Sequence, residues 1–78
     1  MKKGEREKFL KIFGTHLAKI RRQRKVSQEQ LSFDTEIDLS TISRVERGIL
    51  NISIYNVFKI ANSLSIPYRD LYDIDFKK

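Results

Sequence analysis

Hydrophobic residues near the start of the chain recur at helical spacing. They follow one another at intervals of four, four and three positions: Phe9, Phe13, Leu17 and Ile20. Such intervals place side chains on one face of a helix. The pattern predicts an amphipathic helix over about residues 5–24, although Gly14 within it costs roughly 1 kcal/mol relative to alanine. Residues 1–12 either add one or two turns to this helix or form a loose basic arm, and we favour the helix.

The next segment, residues 27–48, carries the signals of two short helices joined by a bend. Ser27 is a good helix N-cap, and Gln30 three positions later completes a capping box. Asp38 stands where a second helix would need its cap, and Gly48 is suited to the left-handed residue that ends a helix. Two helices are therefore predicted, near residues 28–35 and 39–47.

The remaining hydrophobic positions predict one further helix and a short final one. Four residues after Ser53 show the i, i+3, i+4, i+7 stripe: Val57, Ile60, Ala61 and Leu64. Pro67 then fits the first turn of a short fifth helix around residues 68–72. Because no strand signal is present, the chain is predicted to be all-α, with five helices in one compact domain.

Composition narrows the possible functions. A chain of 78 residues has room for one small core. It has no cysteine and only one histidine, His16, so we expect no metal site and no cofactor. We read His16 as an exposed polar residue. No nucleophile–base pair is evident, so an enzyme is not expected. No apolar run reaches membrane-spanning length, and we expect a cytoplasmic protein without a membrane partner.

The charge is unevenly distributed along the chain. Residues 1–25 carry a net charge of +8, whereas residues 26–43 carry −4 within a total of +6. A basic first helix suits a polyanion such as DNA, although a solvated helix face would have the same composition. The acidic stretch argues against contact with DNA over the whole surface and favours contact through selected helix ends.

Residues 27–48 resemble the helix-turn-helix of the Cro and phage-repressor (XRE) family. The matching residues are Arg21, Val26-Ser27-Gln28-Glu29-Gln30-Leu31, Ser40-Thr41-Ile42-Ser43-Arg44-Val45-Glu46-Arg47-Gly48, Asn51, Ser53, and Lys59-Ile60-Ala61 with Leu64. The resemblance covers about Phe13 to Tyr72. It implies a lambda-repressor-like five-helix domain at 13–72, preceded by a basic extension at 1–12 and followed by a tail at 73–78. Helices two and three would then form the DNA-binding unit.

Recognition helices contact base edges with side chains of their N-terminal part. The base-reading candidates are therefore Leu39, Ser40, Ser43 and Arg44. Arg44 is the strongest, because a guanidinium bonds both O6 and N7 of guanine; alternatively, it forms a surface ion pair. Leu39 is either a contact to a thymine methyl group or ordinary exposed apolar surface. The serines specify weakly.

The resemblance also implies roles for residues that do not read bases. Gln28 occupies a position at which the family commonly binds a DNA phosphate, and a helix N-terminus such as that at Gln28 attracts anions. Arg47, at the end of helix three, and Asn51, in the following loop, are similar phosphate candidates. The alternative for each of the three is a solvated polar residue. Arg21 and Glu46 match a partly buried ion pair between helix one and the recognition helix, and we read both as scaffold.

Two positions near the bend differ from the usual family pattern, and a third carries an aromatic residue on an outward face. Glu36 replaces the usual turn glycine, at a cost of about 1 kcal/mol if its φ is positive. Ser32 replaces an alanine. Phe33 is expected on an outward face, where it is either incidental or a contact for a partner.

A single recognition helix buries little surface, so a two-fold dimer is expected. The family commonly dimerises through helix five and the preceding loop, and the candidates in helix five and the tail are Tyr68, Tyr72, Ile74 and Phe76. We therefore predict a homodimeric, sequence-specific regulator of transcription that binds a roughly palindromic operator on double-stranded DNA. A restriction–modification controller is favoured over a small phage-type repressor. The alternatives are an antitoxin or other protein-interaction module, and a basic helix that binds an anionic membrane.

Overall fold

The computed structural model describes residues 4–76, and the regular secondary structure within that range is entirely helical. We number the α-helices α1 (Glu5–Gln23), α2 (Gln28–Thr35), α3 (Leu39–Glu46) and α4 (Ile54–Ser63). The predicted all-α class is confirmed, and the first four predicted helices are present. Residues 5–12 form the first turns of α1. Residues 1–3 of the basic extension and residues 77–78 of the tail lie outside the described residues.

The predicted fifth helix is a 3-10 helix, Tyr68–Tyr72, rather than an α-helix. The backbone N–H of Asp70 donates to the carbonyl oxygen of Pro67 at 3.0 Å, the three-residue spacing of this tighter helix. The segment is only five residues long, and its main packing group is Leu71, whose side chain is fully buried. A single 3-10 turn suffices to place that side chain in the core.

One core holds all the elements together. Its members come from every helix and from the α2–α3 bend: Phe13, Leu17, Leu31, Ile37, Ile42, Val45, Val57, Ile60, Ala61, Leu64 and Leu71. The prediction that Phe9 belongs to the buried stripe of α1 was wrong, because Phe9 is 37% exposed and Leu10 is buried instead. The buried positions of α1 recur from Leu10 at three and four residues, which moves Phe9 to the edge of the stripe.

The caps of the short helices agree only partly with the prediction. The hydroxyl oxygen of Ser27 accepts from the backbone N–H of Gln30 at 3.0 Å, as expected. The side chain of Gln30, however, donates to Asp34 at 2.8 Å rather than reaching back to Ser27, so we see half a capping box. Asp38 is the N-cap residue of α3 but makes no side-chain cap hydrogen bond.

Hydroxyl groups stabilise the bend between α2 and α3. Glu36 ends α2 with a φ of 60°, the left-handed conformation that glycine adopts more easily. Thr35 donates to the carbonyl oxygen of Leu31 at 2.7 Å and accepts from the backbone N–H of Ile37 at 3.2 Å. The hydroxyl of Ser32 donates to the carbonyl oxygen of Ile37 at 2.6 Å. Three hydrogen bonds therefore offset the strain at Glu36, and one depends on the serine that replaces the family's alanine.

Two glycines allow the C-terminal end of α3 to lie directly against α1. A Cβ atom on Gly14 would lie 2.3 Å from the carbonyl oxygen of Val45 and 2.6 Å from that of Glu46. A Cβ atom on Gly48, which has a φ of +77°, would lie 2.6 Å from the Cα of Lys11. Gly14 therefore does more than weaken a helix, because any larger residue would push α3 away from α1.

Within residues 4–76, none of the helices combines the length and the apolar composition needed to cross a membrane.

Candidate nucleic-acid interface

The N-terminal part of α3 presents a polar face to solvent. The side chain of Ile42 is fully buried and anchors the opposite face of the helix, together with Val45. Ser40 and Arg44 are exposed and Ser43 is half-buried beside them. Because residues four positions apart lie on the same helix face, Ser40 and Arg44 form one edge that a base pair could meet.

Leu39, the first residue of α3, is 41% exposed. The four base-reading candidates thus lie on one helix, with Leu39 and Ser40 in its first turn and Arg44 in its last. Thr41 is half-buried between this face and the core. The arrangement is a short helix that carries hydroxyls, one guanidinium and one apolar group, which are groups that can contact base edges in a major groove.

The guanidinium of Arg44 has no carboxylate partner within residues 4–76. The ion-pair alternative considered for this residue therefore does not occur in the described part of the chain. An exposed guanidinium at this position retains its donors for another molecule, and its planar fork matches both guanine and phosphate.

The three phosphate candidates lie on different segments. Gln28 is the first residue of α2 and is half-buried. Arg47 follows the last turn of α3 and is exposed, with its Nε donating weakly to the carbonyl oxygen of Ser43 at 3.4 Å. Asn51 is exposed in the loop between α3 and α4. The three candidates therefore come from the start of α2, the end of α3 and the α3–α4 loop.

Arg21 and Glu46 form the ion pair expected from the resemblance. The Arg21 Nε donates to Oε2 of Glu46 at 2.7 Å, and Nη2 donates to Oε1 at 3.0 Å. The side chains are 9% and 5% exposed. The hydrogen bond that Arg21 donates to Glu46 raises the pKa of Arg21, against the lowering effect of burial. The third nitrogen, Nη1, donates to the carbonyl oxygen of Val26 at 2.9 Å, so this pair also fixes the α1–α2 connection.

The carboxylate of Glu46 has a further donor that sequence reasoning missed. Nε2 of Gln28 donates to Oε1 of Glu46 at 2.8 Å. The residue spacing gave no signal for this contact, because it depends on how α2 and α3 lie relative to each other. The phosphate candidate on α2 is thus joined to the ion pair that holds α3.

His16 is half-buried rather than fully exposed. Its Nε2 lies 2.7 Å from the carbonyl oxygen of Asp70, in the 3-10 helix. The ring therefore connects α1 to the last structural element. Among the described residues, no group of three or more histidine, aspartate or glutamate side chains could hold a metal ion.

A second surface carries exposed aromatic and aliphatic side chains. It lies where α4 meets the 3-10 helix, and we call it the α4 patch: Ile54, Tyr55, Phe58, Tyr68 and Tyr72. Two of the four dimer candidates, Tyr68 and Tyr72, belong to it. Sequence analysis missed Ile54 and Phe58, although their alternation with the buried positions of α4 was visible in the sequence.

The other two dimer candidates pack mainly against their own chain. Ile74 is half-buried against the core. The ring of Phe76 lies edge-on to Phe9 with 6.0 Å between centroids, and Nζ of Lys8 lies 5.3 Å from the centroid of Phe76. Less of either side chain is left for a partner than at Tyr68 or Tyr72.

Two short helices joined by a left-handed bend, the second with an exposed polar N-terminal face, define the helix-turn-helix class of DNA-binding protein. The chain belongs to the helix-turn-helix family, whose sequence pattern matches residues 17–71. It is similar to Control protein C.BamHI of Bacillus amyloliquefaciens, with 36% identity over 63 residues, covering 80% of this chain and 78% of that protein.

Two further proteins support the same relationship. Control protein C.MunI of Mycoplasma sp is 33% identical over 61 residues, covering 77% of this chain and 82% of that protein. The crystal structure of the restriction–modification controller protein C.AhdI from Aeromonas hydrophila has a TM-score of 0.80 at 39% identity, covering 82% of this chain and 97% of that one. The expected resemblance to the XRE-type helix-turn-helix proteins is confirmed, and the family is one of DNA-binding regulators rather than enzymes.

Proposed function

We propose that the protein is a restriction–modification controller: a homodimer that binds a roughly palindromic operator on double-stranded DNA and controls transcription. The observation that carries this proposal is the exposed N-terminal face of α3, in a chain whose similar proteins are control proteins. We also place the protein in the cytoplasm. Residues 13–72 act as the DNA-binding domain, flanked by residues 1–12 and 73–78.

In this proposal α3 lies in the major groove. Arg44 donates to O6 and N7 of guanine, and Leu39 contacts a thymine methyl group. Ser40 and Ser43 add short hydrogen bonds to base edges or phosphates. Gln28, Arg47 and Asn51 bind phosphates on either side of the groove and set the register of α3 without reading sequence.

The α4 patch is the proposed surface for the second copy. Ile54 and Tyr55 project from it, being 80% and 65% exposed. Beside it lies a mainly apolar slot of about 290 Å³ between α1 and the start of α4, to which both Ile54 and Tyr72 contribute. A two-fold interface uses the same surface on both copies. Projecting side chains next to a slot satisfy that requirement, because each copy could fill the slot of the other.

The test is selection of bound duplexes from a random DNA pool at near-physiological salt. Recovery of a consensus with two-fold symmetry would support a dimeric, sequence-reading regulator and would give its operator. Recovery of no consensus, with only non-specific binding that weakens as the salt concentration rises, would contradict the proposal.

A protein-interaction module such as an antitoxin remains the second candidate. Phe33 favours it, because this aromatic side chain on α2 is 81% exposed and is not needed for the core. If the selection yields no consensus, Phe33 is the residue at which a protein partner should first be sought.

A further inference from the structure

A single carboxylate joins the three helices around the proposed interface. Glu46, in the last turn of α3, accepts two hydrogen bonds from Arg21 of α1 and one from Gln28 of α2. Its side chain is only 5% exposed. Three donors to a buried carboxylate satisfy most of its capacity and leave it little freedom to move.

This contact determines which way the Gln28 amide faces. An ionised carboxylate only accepts hydrogen bonds, so the NH₂ group of Gln28 and not its oxygen must face Glu46. The NH₂ group has two hydrogens, and one is directed at Oε1 of Glu46 at an N–O distance of 2.8 Å. The second hydrogen is fixed by the planarity of the amide and remains for another acceptor.

We infer that Glu46 is a positioning residue for DNA binding: its carboxylate holds the Gln28 amide so that the second N–H meets a backbone phosphate. The inference rests on the proposed function and adds a coupling to it. Glu46 ends the same eight-residue helix whose first residues read bases. One anchor therefore sets both the phosphate contact on α2 and the placement of α3.

The coupling has an energetic reason. A free glutamine side chain loses rotamer entropy when it binds a phosphate. Gln28 is already held in the free protein, so most of that cost is met before DNA arrives. The backbone N–H groups at the start of α2 add a favourable field for the same anion.

A double-mutant cycle tests the coupling. Affinities for the selected duplex and for a scrambled duplex are measured for the wild type, Gln28→Ala, Glu46→Gln and the double variant, each at a temperature where it is folded. Gln28→Ala should weaken binding to both duplexes about tenfold, the value of one modest hydrogen bond to a charged group. Asn62→Ala, which removes an exposed amide on α4, is the control and should change neither affinity.

The decisive comparison is the effect of Glu46→Gln on affinity in the wild-type protein and in the Gln28→Ala variant. We expect Glu46→Gln to weaken binding several-fold in the wild type and by a smaller factor in the Gln28→Ala background, where only the placement of α3 is left to lose. If Glu46 had a purely structural role, Glu46→Gln would lower the melting temperature, and the fold-loss in affinity of the double variant would equal the product of the two single losses. That result would overturn the inference. Unchanged affinity of Gln28→Ala would also overturn it, while an intact consensus in the selection would leave the proposed function standing.

If Glu46→Gln does not fold, the wild-type protein supplies the answer by NMR. The two side-chain amide protons of Gln28 should be widely separated in the free protein, with one protected from exchange. On addition of the selected duplex the other proton should shift. Two Gln28 protons that exchange as fast as those of the exposed Asn62 amide would show an unheld side chain and would overturn the inference.

Discussion

The contact between α1 and α3 makes Gly14 a sensitive position, and Gly14→Ala is the perturbation that tests it. An added Cβ would lie 2.3 Å from the carbonyl oxygen of Val45, about 1 Å closer than ordinary contact allows. The second close atom, the carbonyl oxygen of Glu46 at 2.6 Å, is also backbone. Neither can be relieved by a side-chain rotation, so α3 itself must move.

Two effects of opposite sign determine the result. Alanine stabilises a helix interior by about 1 kcal/mol relative to glycine. Overpacking of a close contact costs about 1–3 kcal/mol. A displaced α3 also strains the 2.7 Å hydrogen bond from Arg21 to Glu46. This bond is part of a buried ion pair whose complete disruption costs about 3–5 kcal/mol. Overpacking less the helix gain leaves about 0–2 kcal/mol. Partial strain of the ion pair adds to this cost, so we expect a net loss of about 2–3 kcal/mol in the free energy of unfolding.

Thermal unfolding followed by circular dichroism measures this loss. For a domain of this size, each kcal/mol lowers the melting temperature by about 4–8 °C, so Gly14→Ala should lower it by about 8–24 °C. Thr15→Ala is the matched control, because Thr15 is exposed on the same helix. That variant should be unchanged or slightly more stable. A Gly14→Ala variant as stable as the wild type would refute the argument from close helix packing.

Three further predictions concern stability and assembly. Arg21→Ala leaves the buried Glu46 carboxylate without its main partner and should cost about 3–5 kcal/mol in urea unfolding; a loss below 1 kcal/mol would mean that solvent reaches Glu46. Glu36→Gly removes the strain of a φ of 60° and should stabilise by about 0.5–1 kcal/mol in the same assay, whereas destabilisation would show that the bend needs a side chain there. Phe58→Lys places a charge in the α4 patch and should shift sedimentation toward the monomer, with Phe33→Lys as the control outside it. A dimer that persists in Phe58→Lys would remove the patch as the interface.

The sequence predicted the elements well because each has a local signal. The cap at Ser27, the stop at Gly48 and the stripe of α4 all depend on residues a few positions apart. Local rules failed where tertiary packing decided the outcome. Asp38 had the right identity for a cap but makes no cap bond, and the last helix adopted the 3-10 form because only Leu71 had to be buried.

The candidate site was predicted to a similar extent and for similar reasons. The base-reading candidates were inferred from their position in α3 and stay a prediction, whereas the pairing of Arg21 with Glu46, which followed from the family resemblance, is present in the structure. The third partner, Gln28, could not be predicted from spacing, since it depends on the angle between α2 and α3. The role of Gly14 was hidden for the same reason: its neighbour is a backbone more than thirty residues away in the chain.

The central claim is that the exposed face of α3 reads DNA sequence, and the most direct measurement compares Arg44→Ala with Arg47→Ala. Dissociation constants are determined for each variant and the wild type on the selected duplex and on a scrambled one. Arg44→Ala should reduce the ratio between the two duplexes by about 10- to 100-fold while retaining most scrambled-duplex binding, as expected for loss of a guanine contact worth about 1–3 kcal/mol. Arg47→Ala should weaken both duplexes alike. An equal loss on both duplexes for Arg44→Ala would contradict the account, because it would assign Arg44 to the phosphate backbone and leave α3 without its main base contact.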